Sequence, residues 1–195
     1  MSECTLLWFR RDLRLSDHPA LTAAIARDRA IIPVFIRDPI VDGLGAAPKF
    51  RLELGLEAFD ARLRTFGSRL IFRSGDASDV LQALVTETGA RSVYWTRAYD
   101  PASVTRDTQL KTTLKSKNIE ARSFGGHLMF EPWTVATKTG TPFKVYTPFW
   151  NAVRDRGVDT PLPMPASLPS PSIWPASEAL ADWGLSRAMN RGAAV

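Results

Sequence analysis

The 195-residue chain has one cysteine, Cys4, and two histidines, His18 and His127. A single thiol forms neither an internal disulfide nor a multi-cysteine metal site, and two isolated imidazoles do not make a zinc centre. An intracellular, cytoplasmic protein without a metal is the expectation. No apolar run approaches the ~20 residues needed to cross a bilayer, so no membrane association is expected. The start, MSECTLLWFRRDLR, lacks the basic segment that precedes the apolar core of a secretion signal. Three phosphate or nucleophile signatures are missing as well: no G-x-G-x-x-G follows the first apolar run, and there is no G-x-x-x-x-G-K-[ST] and no G-x-S-x-G. Ordinary dinucleotide dehydrogenases, P-loop enzymes and serine hydrolases of the α/β type are thereby set aside.

What is present is enough for a packed core. Hydrophobic residues make up 45% of the chain and charged residues 23%, which excludes disorder throughout. The formal net charge of +5 favours phosphate-rich partners, although charges spread this evenly serve solubility equally well. Five apolar runs alternate with helical patterns: Thr5 to Phe9, Ala30 to Ile36, Arg69 to Phe72, Ser92 to Trp95 and Ile119 to Phe124. Three of these are continuous rather than alternating, as strands buried on both faces of a parallel sheet are. Pro33 removes one ladder donor and predicts that its strand lies near an edge or begins after it.

Helices are predicted from Pro19 with Asp17 as cap, from Pro48 to Gly67, from Asp76 or Ser78 to Gly89, and from Pro101 to about Lys117. In the second of these Leu52, Leu56, Phe59, Leu63 and Phe66 form one apolar stripe. The fold class is therefore α/β: a doubly wound, Rossmann-like, five-stranded parallel sheet with helices on both faces, followed by an irregular linker. We divide the chain into a domain over 1–135 and a linker over 136–195. A short helix is expected after Pro148. The run PLPMPASLPSPSIWP, Pro161 to Pro175, has no helical or strand period and reads as extended linker. Leu180, Trp183, Leu185 and Met189 then suggest a helix with nothing to pack on, so the sequence reads as a piece that stops before a further domain.

Arg10, Arg11, Asp12, Arg14 and Asp17 crowd the carboxyl end of the first strand, the end at which open α/β sheets bind ligands. Arginines there hold a phosphate, a carboxylate or a planar ring, or they form a network with the aspartates that fixes the loop. For both histidines a structural role is the simpler reading: His18 beside a helix start, His127 in a Gly-Gly-His turn.

Three blocks, in order, resemble the photolyase/cryptochrome family: WFRRDLRLSDHPAL (Trp8 to Leu21), SVYWTRAYDP (Ser92 to Pro101) and GTPFKVYTPFWNAV (Gly140 to Val153). His18 stands where that pattern usually has asparagine, Thr96 likewise, and Phe143 and Tyr146 exchange two aromatics. The tail WGLSRAMNRGAAV resembles the family's join to its catalytic domain, so the resemblance runs over essentially the whole chain. It implies an N-terminal domain that holds a light-harvesting antenna chromophore. The chromophore passes energy to FAD in a C-terminal catalytic domain, which repairs pyrimidine dimers flipped out of DNA. No catalytic residue is then assigned to this chain, and repair by it alone is not expected. The partners implied are damaged DNA, through the full-length protein, and the chain's own C-terminal domain; a monomer is expected. A blue-light-sensing cryptochrome and a stand-alone nucleotide- or chromophore-binding module remain alternatives.

By the same resemblance the antenna-binding residues are Arg11, Phe35, Ile36, Asp38, Phe50, Arg51 and Asp100, with Ala46 to Leu54 as a lid. Phe35 and Phe50 suit stacking on a planar ring, with core packing as the plain alternative for Phe35. Asp38 and Asp100 suit hydrogen bonds from a ring or ribityl chain, and Arg51 an anionic group, unless it is only a solvated helix face. Folate-type members carry an asparagine–glutamate pair where Ala102 and Ser103 stand here, which favours a deazaflavin or flavin over a folate.

Overall fold

The computed structural model describes residues 3–189. Five parallel strands, β1 (Cys4–Phe9), β2 (Ala30–Arg37), β3 (Ile71–Ser74), β4 (Ser92–Thr96) and β5 (Glu120–Phe124), form one sheet in the order β3-β2-β1-β4-β5. Side-chain alternation splits the core into two layers. Leu7, Phe9, Ile31, Phe35 and Tyr94 pack with α1 (Pro19–Ile25) and α3 (Ala46–Arg64) on one face. Leu6, Trp8, Val34, Ile36 and Trp95 pack with α4 (Ala77–Thr88) and α5 (Pro101–Ser116) on the other. This is the doubly wound arrangement the sequence predicts. Burying each large side chain contributes about 1.5–3 kcal/mol, so Leu6 or Leu56, both fully buried, are positions where Ala would cost about 2–5 kcal/mol.

Three local features sharpen or correct these expectations. Pro33 lies inside β2, which does not begin after it and runs beside the edge strand β3. Ile31 N–H points away from β1 and donates to Pro169 O at 2.8 Å. Residue 33, two along, faces the same way, and the β3 ladder starts only at Val34. The missing donor therefore falls where no strand is waiting. The cap of α1 is His18 rather than Asp17: His18 Nδ1 accepts from Leu21 N–H at 3.1 Å, while Asp17 turns the chain at φ 49°. Finally, a short helix α2 (Pro39–Asp42) follows β2, capped by Asp38.

The stretch after β5 is irregular apart from single 3-10 turns at Pro132–Thr134 and Leu180–Trp183 and helix α6 (Tyr146–Val153). The proline-rich run contains no helix or strand, but the tail is not without a packing partner. Leu168, Trp183 and Leu185 are buried in the α1/α3 layer, with the Trp183 ring 6.0 Å from Phe35 and 5.5 Å from Phe72. Glu178 N–H donates to Phe72 O, and Phe72 N–H to Ser177 Oγ, at 2.9 and 3.0 Å. The tail thus satisfies the open edge of β3 without extending the sheet, one way of blunting an edge strand.

Candidate functional site

The strand order reverses between β1 and β4, and the crevice beyond their carboxyl ends is the ligand position such sheets provide. A cavity of about 500 Å³ opens there, bounded by β1, β2, the start of α3, the loop after β4 and the first turns of α5. Its size is within the usual ~300–1,000 Å³ range of small-molecule sites. Trp8, Phe35 and Ile36 form apolar wall, and Leu13, Leu44 and Leu52 continue it toward the α3 side.

The floor is a group of paired charges. Arg10 donates to Thr96 O and to Asp107 Oδ1, the latter at 3.2 Å. Arg106 donates to Asp38 Oδ2 at 2.8 Å and to Asp107 Oδ1 at 3.0 Å. The second Asp107 oxygen accepts from Trp95 Nε1 at 2.9 Å. Each of these polar groups is largely out of water, where an unpaired charge is costly, and each has its counter-charge. Burial lowers the Arg10 pKa from its ordinary value, an effect Asp107 opposes. Asp38 also accepts from Val41 N–H at 3.1 Å, so both its oxygens are engaged by the protein.

Below Arg10 the loop is fixed by Asp12. One oxygen accepts from Arg10 N–H at 2.8 Å and the other lies 2.9 Å from His18 Nε2. Because His18 Nδ1 accepts from the helix, Nε2 is the nitrogen that carries the proton toward Asp12. Burial alone would raise the Asp12 pKa, but the His18 contact and the Arg10 amide hold it well below the usual carboxylate range. Arg14 is structural as well: it donates to Asp17 O and to Gly126 O, at 3.1 and 2.6 Å. Gly126, at φ +136°, has Pro19 Cδ and Arg14 Nη2 both 3.4 Å from where a Cβ would stand. Glycine is therefore required there, and the turn it makes delivers His127 to the cavity wall.

The rim differs from the floor. Arg11 and Arg51 line the cavity, are exposed, and form no ion pair within 4 Å among the described residues. His127, half-buried beside them, has its pKa lowered by burial and by the nearby Arg10, Arg14 and Arg11, against the pull of Asp12.

Of the predicted site residues, Arg11, Phe35, Ile36, Asp38 and Arg51 meet on this cavity. Phe50 and Asp100 are outside its lining. Asp100 caps α5 by accepting from Ser103 N–H at 2.9 Å, and that bond lowers its pKa. Sequence reasoning missed Trp8 and Arg106; it left Arg10 open between ligand binding and an Arg–Asp network, and read His127 as structural. Trp8 was legible, since residues 8 and 36 must share a face in parallel strands. Arg106 was not, because nothing local links it to Asp38. Among the described residues no cluster of three or more His, Cys, Asp or Glu is placed to hold a metal, and no helix is long and apolar enough to cross a membrane.

A family model described as DNA photolyase matches residues 5–168. The deoxyribodipyrimidine photo-lyase of Agrobacterium fabrum is 44% identical over 183 residues, which cover 92% of this chain and 38% of that protein. Cryptochrome-1 of Arabidopsis thaliana is 36% identical over 165 residues, covering 83% and 24%. A bacterial class III photolyase from Agrobacterium tumefaciens, solved as a crystal structure, matches the fold with a TM-score of 0.89 at 41% identity over 95% of this chain and 39% of that one. The chain thus spans about two fifths of the length of the photolyases it matches.

Proposed function

Because this chain belongs to the DNA photolyase family, we propose that it is the light-harvesting domain of a deoxyribodipyrimidine photolyase and that its cleft holds the antenna chromophore. The observation that carries this reading is the pairing of apolar ring-sized wall with two uncommitted arginines at one cavity of about 500 Å³. A planar ring lies across the strand ends lined by Trp8, Phe35 and Ile36, and an anionic tail meets Arg11 and Arg51, where charge-assisted bonds are strongest. The chromophore, when bound, supplies light absorption and energy transfer; everything else is the work of this chain. Phe35 and Ile36 exclude water, Asp38 and Arg106 form a fixed polar edge against the ring, and Arg11 and Arg51 orient the tail. Asp100 acts from behind by capping the helix that carries Ser103 and Arg106, and Phe50 by its place on α3 beside Arg51.

A flavin or deazaflavin is the favoured occupant, since Ala102 and Ser103 offer neither the amide nor the carboxylate of the folate-type pair. FAD, the catalytic domain and the contact with damaged DNA belong to the full-length protein in this reading, and residues 136–195 to the connection between domains. Exposed Met129, Trp133, Val145, Tyr146 and Trp150 form apolar surface suited to that neighbouring domain. A monomeric, cytoplasmic protein is part of the same proposal. A blue-light sensor of the cryptochrome kind is the second reading, favoured by the cryptochrome among the relatives.

Two assays test this. The chain is mixed with FMN, a deazaflavin and a reduced folate, and what survives ultrafiltration is read by absorbance; retention of a flavin is expected, and retention of folate alone would overturn the choice of chromophore. The full-length protein is then illuminated with dimer-containing DNA. Repair is expected there and none from this chain alone; absence of repair by the full-length protein would favour the sensor.

A further inference from the structure

Trp8, next to last in β1, has 1% of its surface exposed and lines the cleft. If the cleft holds a photoexcited ring, this indole is a hazard. One electron can pass from the indole to the excited ring, with no bond formed or broken, and then fall back, so the excitation is lost as heat. A domain that hands excitation onward must suppress that step.

The surroundings of Trp8 oppose it. The Arg10 guanidinium carbon lies 4.5 Å from the Trp8 ring centroid and that of Arg106 lies 4.8 Å away. A cation against the ring attracts the neutral indole and repels the positive charge that oxidation would leave on it. Both effects favour neutral Trp8. Neither arginine is free to leave, because Thr96 O, Asp107 and Asp38 hold them. The two carboxylates are themselves tied to guanidinium, indole or backbone N–H groups, and it is the cations that lie over the ring. A second indole, Trp95, stands 6.1 Å behind Trp8 and has the Lys111 ammonium 5.6 Å from its own ring.

We propose that Arg10 and Arg106 keep Trp8 from quenching the chromophore, making the floor of the cleft an insulator as well as a support. The proposal rests on the chromophore reading above, and the experiment separates the two. Wild-type chain, Arg106→Gln, Trp8→Phe and the double variant are saturated with FMN, or with a reduced folate if FMN is not retained. The bound fraction is confirmed by ultrafiltration, and its fluorescence lifetime is measured. The expected result is a lifetime several-fold shorter in Arg106→Gln and restored when Trp8→Phe is added. An unchanged lifetime in Arg106→Gln, or a shortened one that Trp8→Phe does not restore, overturns the proposal. If Arg106→Gln binds no chromophore, Arg10→Gln takes its place; loss of binding in both, through a lost contact or a lost fold, means that the arginines support the site rather than shield the indole, which also overturns it. A wild-type chain that binds neither probe removes the chromophore reading itself, and the shielding falls with it.

Discussion

On the floor of the cleft Arg10 and Arg106 are mostly buried and held by carboxylates, whereas on its rim Arg11 and Arg51 are exposed and make no ion pair among the described residues. The residue type is the same and the consequences are opposite. A buried pair contributes little net stability, yet removing one partner leaves a charge that water cannot reach. An exposed arginine costs almost nothing to the fold and keeps its donors for a ligand. Floor substitutions should therefore be read in stability, and rim substitutions in binding.

The largest effect is expected at Asp107, the acid shared by both floor arginines and by Trp95 Nε1. Asp107→Ala leaves Arg10, Arg106 and an indole N–H short of partners and should lower unfolding stability by about 3–5 kcal/mol, measured by urea titration. A loss under about 1 kcal/mol would mean that water enters the floor and that the contrast with the rim is not one of burial.

Next comes the acid limb of stability, at Asp12. Its folded-state pKa is depressed, so its contribution is complete above the ordinary carboxylate range and is lost as pH falls through the depressed value. Asp12→Asn should destabilise the chain at neutral pH and make the difference from wild type shrink below the ordinary carboxylate range, followed by circular dichroism against pH. Two parallel pH profiles would show that the Asp12–His18 contact does not carry the loop.

These contrasts were only half legible beforehand. The five strands and the long helices are local patterns: continuous apolar runs, a 4-3-4-3 stripe over Leu52 to Phe66, glycine at the end of α4. Each was readable, with β3 displaced by two residues to Ile71–Ser74. Of the rim arginines, Arg11 was readable from its place at a strand end, whereas Arg51 came only with the family resemblance. The floor was hidden, because Arg10 and Asp107 lie 97 residues apart and meet only when β1 is laid beside β4. The tail was misjudged for the same reason. Leu180, Trp183 and Leu185 look solitary in sequence, but they join the α1/α3 layer, where the partners of Trp183, Phe35 and Phe72, are on β2 and β3. Even Asp38 was half seen: its position at the strand end was plain, and its double engagement with Val41 and Arg106 was not.

The smallest effect on the fold, and the sharpest on binding, belongs to the rim. Arg51→Ala removes an exposed side chain near the start of α3 and should change stability by no more than about 0.5 kcal/mol. Losing a hydrogen bond to a charged group costs roughly 1.5–3 kcal/mol, so chromophore affinity should fall on the order of ten- to a hundredfold, measured by equilibrium dialysis with FMN. Arg11→Ala should do the same, and the double variant should lose less than the sum if both arginines grip one anionic group. Additive losses would place them on separate groups of the ligand. No loss in either would mean that the rim arginines face only solvent, and the floor would have to supply the binding alone.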